Sequence, residues 1–256
     1  PESQGLNQRQ SIAAYIDVEA NLTDDFLLGA ALRYEDFTSF GNTTNYKISA
    51  QYQATDELSF RASHSTGFRA PTVGQANVVN TQTSLVSGEL IQSATFPPTH
   101  PVSLQKGGTE LQPEESVSYA VGLVYQSGDF FMTVDAYNIE VTDRIAQTDK
   151  FFINDNDVAA LQGEYPSPEL LLNGSITYFS NNFDTKTQGV DVVMNYSMEL
   201  MGGDTKFSLA YNYNTTEVEN RKATIDPSTG EPVLDANNEL TFATSGYKVR
   251  RLEVGI

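Results

Sequence analysis

Along most of this chain apolar and polar residues alternate one by one, and a period of two confines it to extended strands with one apolar and one polar face. From 11 to 22 one face reads Ile12, Ala14, Ile16, Val18, Ala20, Leu22, and the other Ser11, Ala13, Tyr15, Asp17, Glu19, Asn21. Phe26, Leu28, Ala30, Leu32 and Tyr34 repeat the pattern, as do Tyr46, Ile48, Ala50 and Tyr52. Later Val190, Val192, Met194, Tyr196, Met198 and Leu200 oppose Gly189, Asp191, Val193, Asn195, Ser197 and Glu199. A slip of one residue inverts a strand's two faces, so each register is strongly specified. The pattern predicts nine strands, near 11–22, 26–37, 44–54, 58–67, 116–126, 130–145, 187–200, 205–215 and 248–256.

These strands are longer than the roughly five or six residues common in globular sheets. They match the roughly 9–11 residues that a tilted strand needs to cross a bilayer. The connections alternate in length: short turns at 23–25, 55–57, 127–129 and 201–204, against long loops at 70–115, 146–186 and 216–247. Only the connection near 39–43 breaks the alternation. In a meander every second connection emerges on the same side, so the long loops share one end. The expected fold is all-β, an antiparallel up-and-down meander forming part of a transmembrane β-barrel. Phe26 and Tyr34 share a face eight residues apart, about 19 Å for a tilted strand, near the spacing of two interfacial aromatic girdles. Ordinary aromatic pairing in a soluble sheet is the alternative.

In the sixth strand the apolar phase moves from Phe130, Met132, Val134, Ala136 to Tyr137, Ile139, Val141. Either a bulge re-aims the side chains, or the strand rises above the membrane to where its outer face is wet.

Composition excludes several classes. Mean hydropathy is −0.34 across 256 residues, and no run approaches the roughly 18–20 apolar residues of a membrane helix. A net charge of −18 argues against a nucleic-acid partner, because phosphate binding needs a basic surface. The absence of cysteine removes disulfides, zinc–thiolate sites and thiol nucleophiles together.

No catalytic constellation emerges, and no cofactor or metal is expected. His64 and His100 have no ligand-like spacing and read as structural or solvated. Asn154–Asp155–Asn156–Asp157 lacks the glycine and trailing glutamate of a calcium loop and reads as the cap of a short helix ending near Gly163. Ser167–Pro168–Glu169 reads as a second cap, with proline at the first helical position. Arg33 and Arg61 lie on polar faces, which in a barrel are lumenal, with Asp17, Glu35, Asp135 and Asp191 as candidate partners. Arg69, in a Gly67–Phe68–Arg69–Ala70–Pro71 run before the longest loop, either meets a ligand or a plug in the lumen, or holds loop carbonyls and acids. The candidate lumen-lining set is therefore Arg33, Arg61, Arg69, Asp135 and Asp191. The 146–186 loop carries more acid than base, which disfavours a strongly anionic ligand and suits a neutral or cationic one.

Five strings, taken in order, resemble the β-barrel region of TonB-dependent receptors: RYEDFTSFG at 33–41, STGFRAPT at 65–72, LQPEESVSYAVGLVY at 111–125, VDAYNIEVTDRI at 134–145 and NNFDTKTQGVDVV at 181–193. The resemblance implies a bacterial outer-membrane receptor that binds a scarce nutrient, such as a siderophore, cobalamin or an oligosaccharide. It implies import with TonB-derived energy and three partners: outer-membrane lipid, the TonB system through an N-terminal plug, and an extracellular small-molecule or oligomeric ligand. No plug is read in this chain, so residues 1–256 are expected to be one partial barrel domain with two open edges. The alternatives are a passive outer-membrane porin or adhesin, and a soluble all-β carbohydrate-binding domain.

Overall fold

A computed structural model describes residues 7–86, 89–224, 231–232, 240 and 249–255. The chain opens with four long strands: β1 (Ser11–Thr23), β2 (Phe26–Phe37), β3 (Gly41–Gln53) and β4 (Leu58–Arg69). The first long connection holds α1 (Val73–Asn77), β5 (Asn80–Val86), β6 (Glu89–Thr95) and α2 (Pro101–Gln105). Then come β7 (Glu114–Ser127) and β8 (Phe130–Gln147). The second long connection holds β9 (Phe151–Phe152), α3 (Asp155–Ala160), a 3-10 turn at Pro168–Leu171 and β10 (Ser175–Thr177). Finally come β11 (Phe179–Leu200), β12 (Gly203–Glu219) and β13 (Val249–Gly255).

All nine expected strands form one sheet in the order β1-β2-β3-β4-β7-β8-β11-β12-β13, each antiparallel to its neighbours. It is a meander, and among the described residues β1 and β13 do not pair with each other, so the barrel is not closed. Four short turns gather at one end, and the long connections, with the short turn between Phe37 and Gly41, lie at the other. Most of the 216–247 connection, and Ile256, lie outside the described residues.

The registers keep one face apolar from strand to strand. Ile16 pairs with Leu32, and Leu32 with Tyr46. Val134 pairs with Val192, and Val192 with Tyr211. Near the turn end Phe26, Tyr52 and Phe60 lie in one paired row, and Phe130, Tyr196 and Phe207 in another. Nothing among the described residues covers this face: Ile16 is 61% exposed, Val121 59% and Phe207 52%. A soluble protein rarely leaves more than a few hundred Å² of contiguous apolar surface bare. The nine-stranded sheet instead fits a surface whose solvent is hydrocarbon, where a 12-residue strand tilted by about 45° spans about 29 Å.

The phase change in β8 is not a bulge at Ala136. Pairing with β7 and β11 runs unbroken through Ala136 and Tyr137. The formerly apolar face simply continues as Asn138 and Glu140, while Tyr137, Ile139 and Val141 turn to the other side. The irregularity lies further on, where Asp143 has φ of 54° and the β8–β11 register shifts between Asn181 and Thr185.

The two long connections are not loops in the ordinary sense. β5, β6, β10 and β9 form a second sheet, in that order, with β10 parallel to β6. Ala94, Phe96, Val102, Ile153, Leu161, Leu171, Ile176 and Tyr178 make a buried core there. Asn154 caps α3 as expected: its side chain accepts from the Asn156 and Asp157 amides, and Asp157 returns a bond to the Asn154 amide. The second expected cap differs. Pro168 does open the turn, but Ser167 sits in the left-handed region at φ of 54°, from which its hydroxyl makes no capping bond.

Val192 and Val193 are adjacent and face opposite sides. In the full-length protein folded into lipid vesicles, Val192→Arg is expected to cost about 2–4 kcal/mol, and Val193→Arg less than about 1 kcal/mol. Urea titration of the two variants measures the difference.

Candidate functional site

On the polar face the central feature is a row running across three strands. Arg61 of β4 pairs in register with Gly122 of β7, and Gly122 with Asp135 of β8. Arg61 reaches over the glycine to grip Asp135 with two bonds, Nε to Oδ1 at 2.8 Å and Nη2 to Oδ2 at 2.5 Å. A Cβ at Gly122 would collide with the Asp135 carboxylate and press on Arg61 Nε. Glycine within a strand commonly marks such a close approach. Both partners keep solvent access, with side chains 51% and 29% exposed, so the pair contributes about 1 kcal/mol at most. Its main effect is positional.

Asp135 also stands directly opposite Asp191 of β11, and facing carboxylates repel. Each is drawn to a different partner. Asp135 goes to Arg61, whereas Asp191 accepts from the Asn212 amide, whose own oxygen accepts from Asn214 at 2.9 Å. Tyr137 lies across Gly189, where an added Cβ would meet its ring. Arg33 pairs with Glu35 of its own strand at 2.9 Å. A cavity of about 270 Å³ on this face is lined by Glu19, Lys47, Gln51, Arg61 and Asp135 among others.

Arg69 takes the structural role. At the loop end of β4 it binds Glu114 through two bonds, of 2.7 and 2.5 Å. Glu114 is buried, and its Oε1 also accepts from the Ile145 amide at 2.7 Å. Burial alone would push this carboxyl up. The Arg69 bond and the Ile145 amide outweigh it and hold Glu114 below the usual carboxylate range. The three strands β4, β7 and β8 are thus tied together where they leave the sheet.

A second ion pair fastens the two long connections to each other. Lys106, after α2, meets Asp157 of α3 at 2.6 Å, with side chains only 17% and 12% exposed. Tyr178 donates to the Lys106 carbonyl at 2.6 Å, and burial raises its phenol above the ordinary range. Ser93 with Ser175 and Thr95 with Thr177 add hydroxyl contacts of 3.2 and 3.0 Å along the parallel pair. The loops therefore form one body.

Both histidines have structural surroundings. His64 stacks on Tyr119 at 4.4 Å and shares a hydrogen bond of 2.9 Å with the Tyr46 hydroxyl. His100 lies flat on Phe96 at 4.1 Å and caps α2 by accepting from the Val102 amide. Among the described residues no group of three His, Cys, Asp or Glu side chains converges on a metal position. Sequence reading missed Glu114, Lys106 and Gly122 as determinants. Gly122, alone among Val, Leu and Tyr in its strand, carried the one usable signal.

Gly122→Ala should destabilise the full-length protein in vesicles by about 1–3 kcal/mol through overpacking. In an Asp135→Ala background the same change should cost less than about 1 kcal/mol, because its obstacle is gone. Equal costs in both backgrounds would contradict this reading of the row.

Comparison with known proteins agrees with this geometry. The siderophore receptor PirA from Pseudomonas aeruginosa superposes with a TM-score of 0.54 at 15% identity, over 84% of this chain and 35% of that one. A mutant of the ferric enterobactin receptor PfeA from the same organism gives 0.54 at 14% identity, over 87% of this chain and 28% of that one. The RagAB peptide importer gives 0.55 at 12% identity, over 94% and 30%. At such identities the likeness is one of fold, and the chain spans about a third of each structure. No curated protein sequence matches the chain. The family model described as "TonB dependent receptor-like, beta-barrel" matches residues 2–252, and by that match the chain belongs to the TonB-dependent receptor β-barrel family.

Proposed function

We propose that this chain forms part of the wall and the extracellular loops of an outer-membrane receptor, one that imports a scarce nutrient with energy delivered through TonB. The bare apolar face, continuous over the paired strands and opposite an ion-paired polar face, is the observation that carries the reading. In it, the apolar face meets lipid. Arg33, Arg61, Arg69, Asp135 and Asp191 line or rim the lumen, and the loop body stands on the cell surface. The TonB contact belongs to a plug domain elsewhere in the full-length protein. The function is binding and passage rather than bond-making, consistent with receptors as the family's members.

The ligand class is narrowed by charge. The loop body carries Asp149, Asp155, Glu164 and Glu169 against Lys150, and Lys106 is engaged with Asp157. A neutral or cationic ligand, a peptide or an oligosaccharide, suits that surface better than a strongly anionic ferric siderophore.

The test is uptake by cells carrying or lacking the full-length gene, using labelled ferric siderophores, cobalamin, short peptides and oligosaccharides. Gene-dependent uptake of one class that stops when an uncoupler collapses the proton-motive force is the expected result. Gene-dependent uptake that survives the uncoupler would identify a passive pore instead.

A further inference from the structure

The β3–β4 ladder ends early. It runs from Gln53 opposite Ser59 to Lys47 opposite Ser65 and stops, yet β3 continues to Gly41 and β4 to Arg69. Over the same stretch β3 stays paired with β2 as far as Gly41 opposite Phe37, and β4 with β7 as far as Arg69 opposite Glu114. The sheet is therefore unzipped at this one seam while its neighbours remain closed. Where the ladder stops, the Tyr46 amide donates to the Thr66 hydroxyl at 3.1 Å rather than to a strand carbonyl. Thr43 Oγ1 is buried beside the split without a hydrogen-bond partner. The split holds a cavity of about 420 Å³, lined by Thr43, Thr44, Asn45, Thr66, Gly67 and Phe68 among others.

Across the top, side chains reach over. Phe37 and Phe40 from the β2–β3 rim meet the Phe68 ring at 5.5 and 6.5 Å. Arg9 lies over Phe37 and donates to the Pro71 carbonyl. Above them a second cavity, of about 280 Å³, has one wall from Arg9, Ser39 and Phe40 and the other from Pro71, Asn77 and Leu111. Its two walls belong to the two sides of the seam.

We propose that the upper β3–β4 seam is a hinge: the rim of β1–β3 swings against the loop body, latched by the Phe37–Phe40–Phe68 cluster, and its swing opens and closes the upper cavity. Three physical features support this. Backbone groups without ladder partners can be left to water only above the hydrocarbon, and the split begins at Tyr46, the loop-end residue of the outward apolar run on β3. A strand end lacking one neighbour opens at lower free energy than one held on both sides. The loop body, with its own core and the Lys106–Asp157 pair, is stiff enough to serve as the fixed jaw. The proposal is independent of which ligand the receptor takes.

The chain has no native cysteine, so spin labels can be placed within it in chosen pairs. In the full-length receptor in lipid, labels at Ser39 and Asn77 report across the seam, and labels at Asp24 and Asp129 report across the same strands at the closed turn end. Pulsed electron–electron distance measurement should give a broad or two-population distribution for Ser39–Asn77 and a narrow one for Asp24–Asp129. Phe68→Ala should shift the first toward longer distances and leave the second unchanged. A Ser39–Asn77 distribution as narrow as the control, or one that Phe68→Ala does not move, overturns the proposal.

Discussion

Hydrocarbon offers no hydrogen bonds, and a chain that presents a bare apolar face to it must satisfy every backbone polar group within the sheet. Most of this structure answers that demand. Strands are long because they must cross a fixed thickness, and their turns are short at one end because little chain is needed there. They are antiparallel neighbours in sequence order because a meander closes the ladder with the least loop. The same demand explains why, among the described residues, the buried core gathers in the loop connections rather than on the sheet's apolar face. In the proposed reading the sheet's apolar side chains point at the hydrocarbon they match, so the apolar face that would aggregate a soluble sheet becomes the condition of stability.

The polar face follows a different rule. Charges placed there must be matched locally: Arg33 pairs with Glu35 of its own strand, and Arg61 reaches Asp135 across strands, over a glycine. Arg61 bridges to Asp135 only because Gly122 leaves the way open, and Asp191 faces Asp135 without conflict because Asn212 takes it up. At the loop end the currency changes again. There water is available and the loops build an ordinary hydrophobic core, fastened by Lys106 and Asp157. The molecule thus joins a sheet without a core to a loop body with one, and the unzipped β3–β4 seam lies where the two meet.

What the sequence revealed is what alternation can encode. Nine strands, their faces and their turns follow from a period of two, because each strand's environment differs from one side to the other along its whole length. Asn154 was readable as a cap because capping is local. The loop body was not readable: the parallel β10–β6 pair joins residues far apart in sequence, and its strands are too short to show a period. β11 starts at Phe179 rather than near 187 because its first residues, with Asn182 and Thr185 buried, have no apolar face set against a polar one and so show no alternation. The Arg69–Glu114 pair is half visible, since holding acids is one of the two readings the sequence offers for Arg69 but its buried partner lies in a different strand. Ser167 shows that a capping residue type does not ensure a capping geometry.

The account rests on the outward direction of one face, and single-cysteine accessibility tests that most directly. Cysteines placed one at a time at Ile16, Asp17, Asp191 and Val192 in the full-length protein, in isolated outer membranes, are challenged with lipid-phase and aqueous thiol reagents. The account predicts that positions 16 and 192 react from the lipid phase while 17 and 191 do not. Shielding of 16 and 192 from both reagents, in a protein that fractionates as soluble, would mean that the apolar face packs against protein and would contradict the barrel.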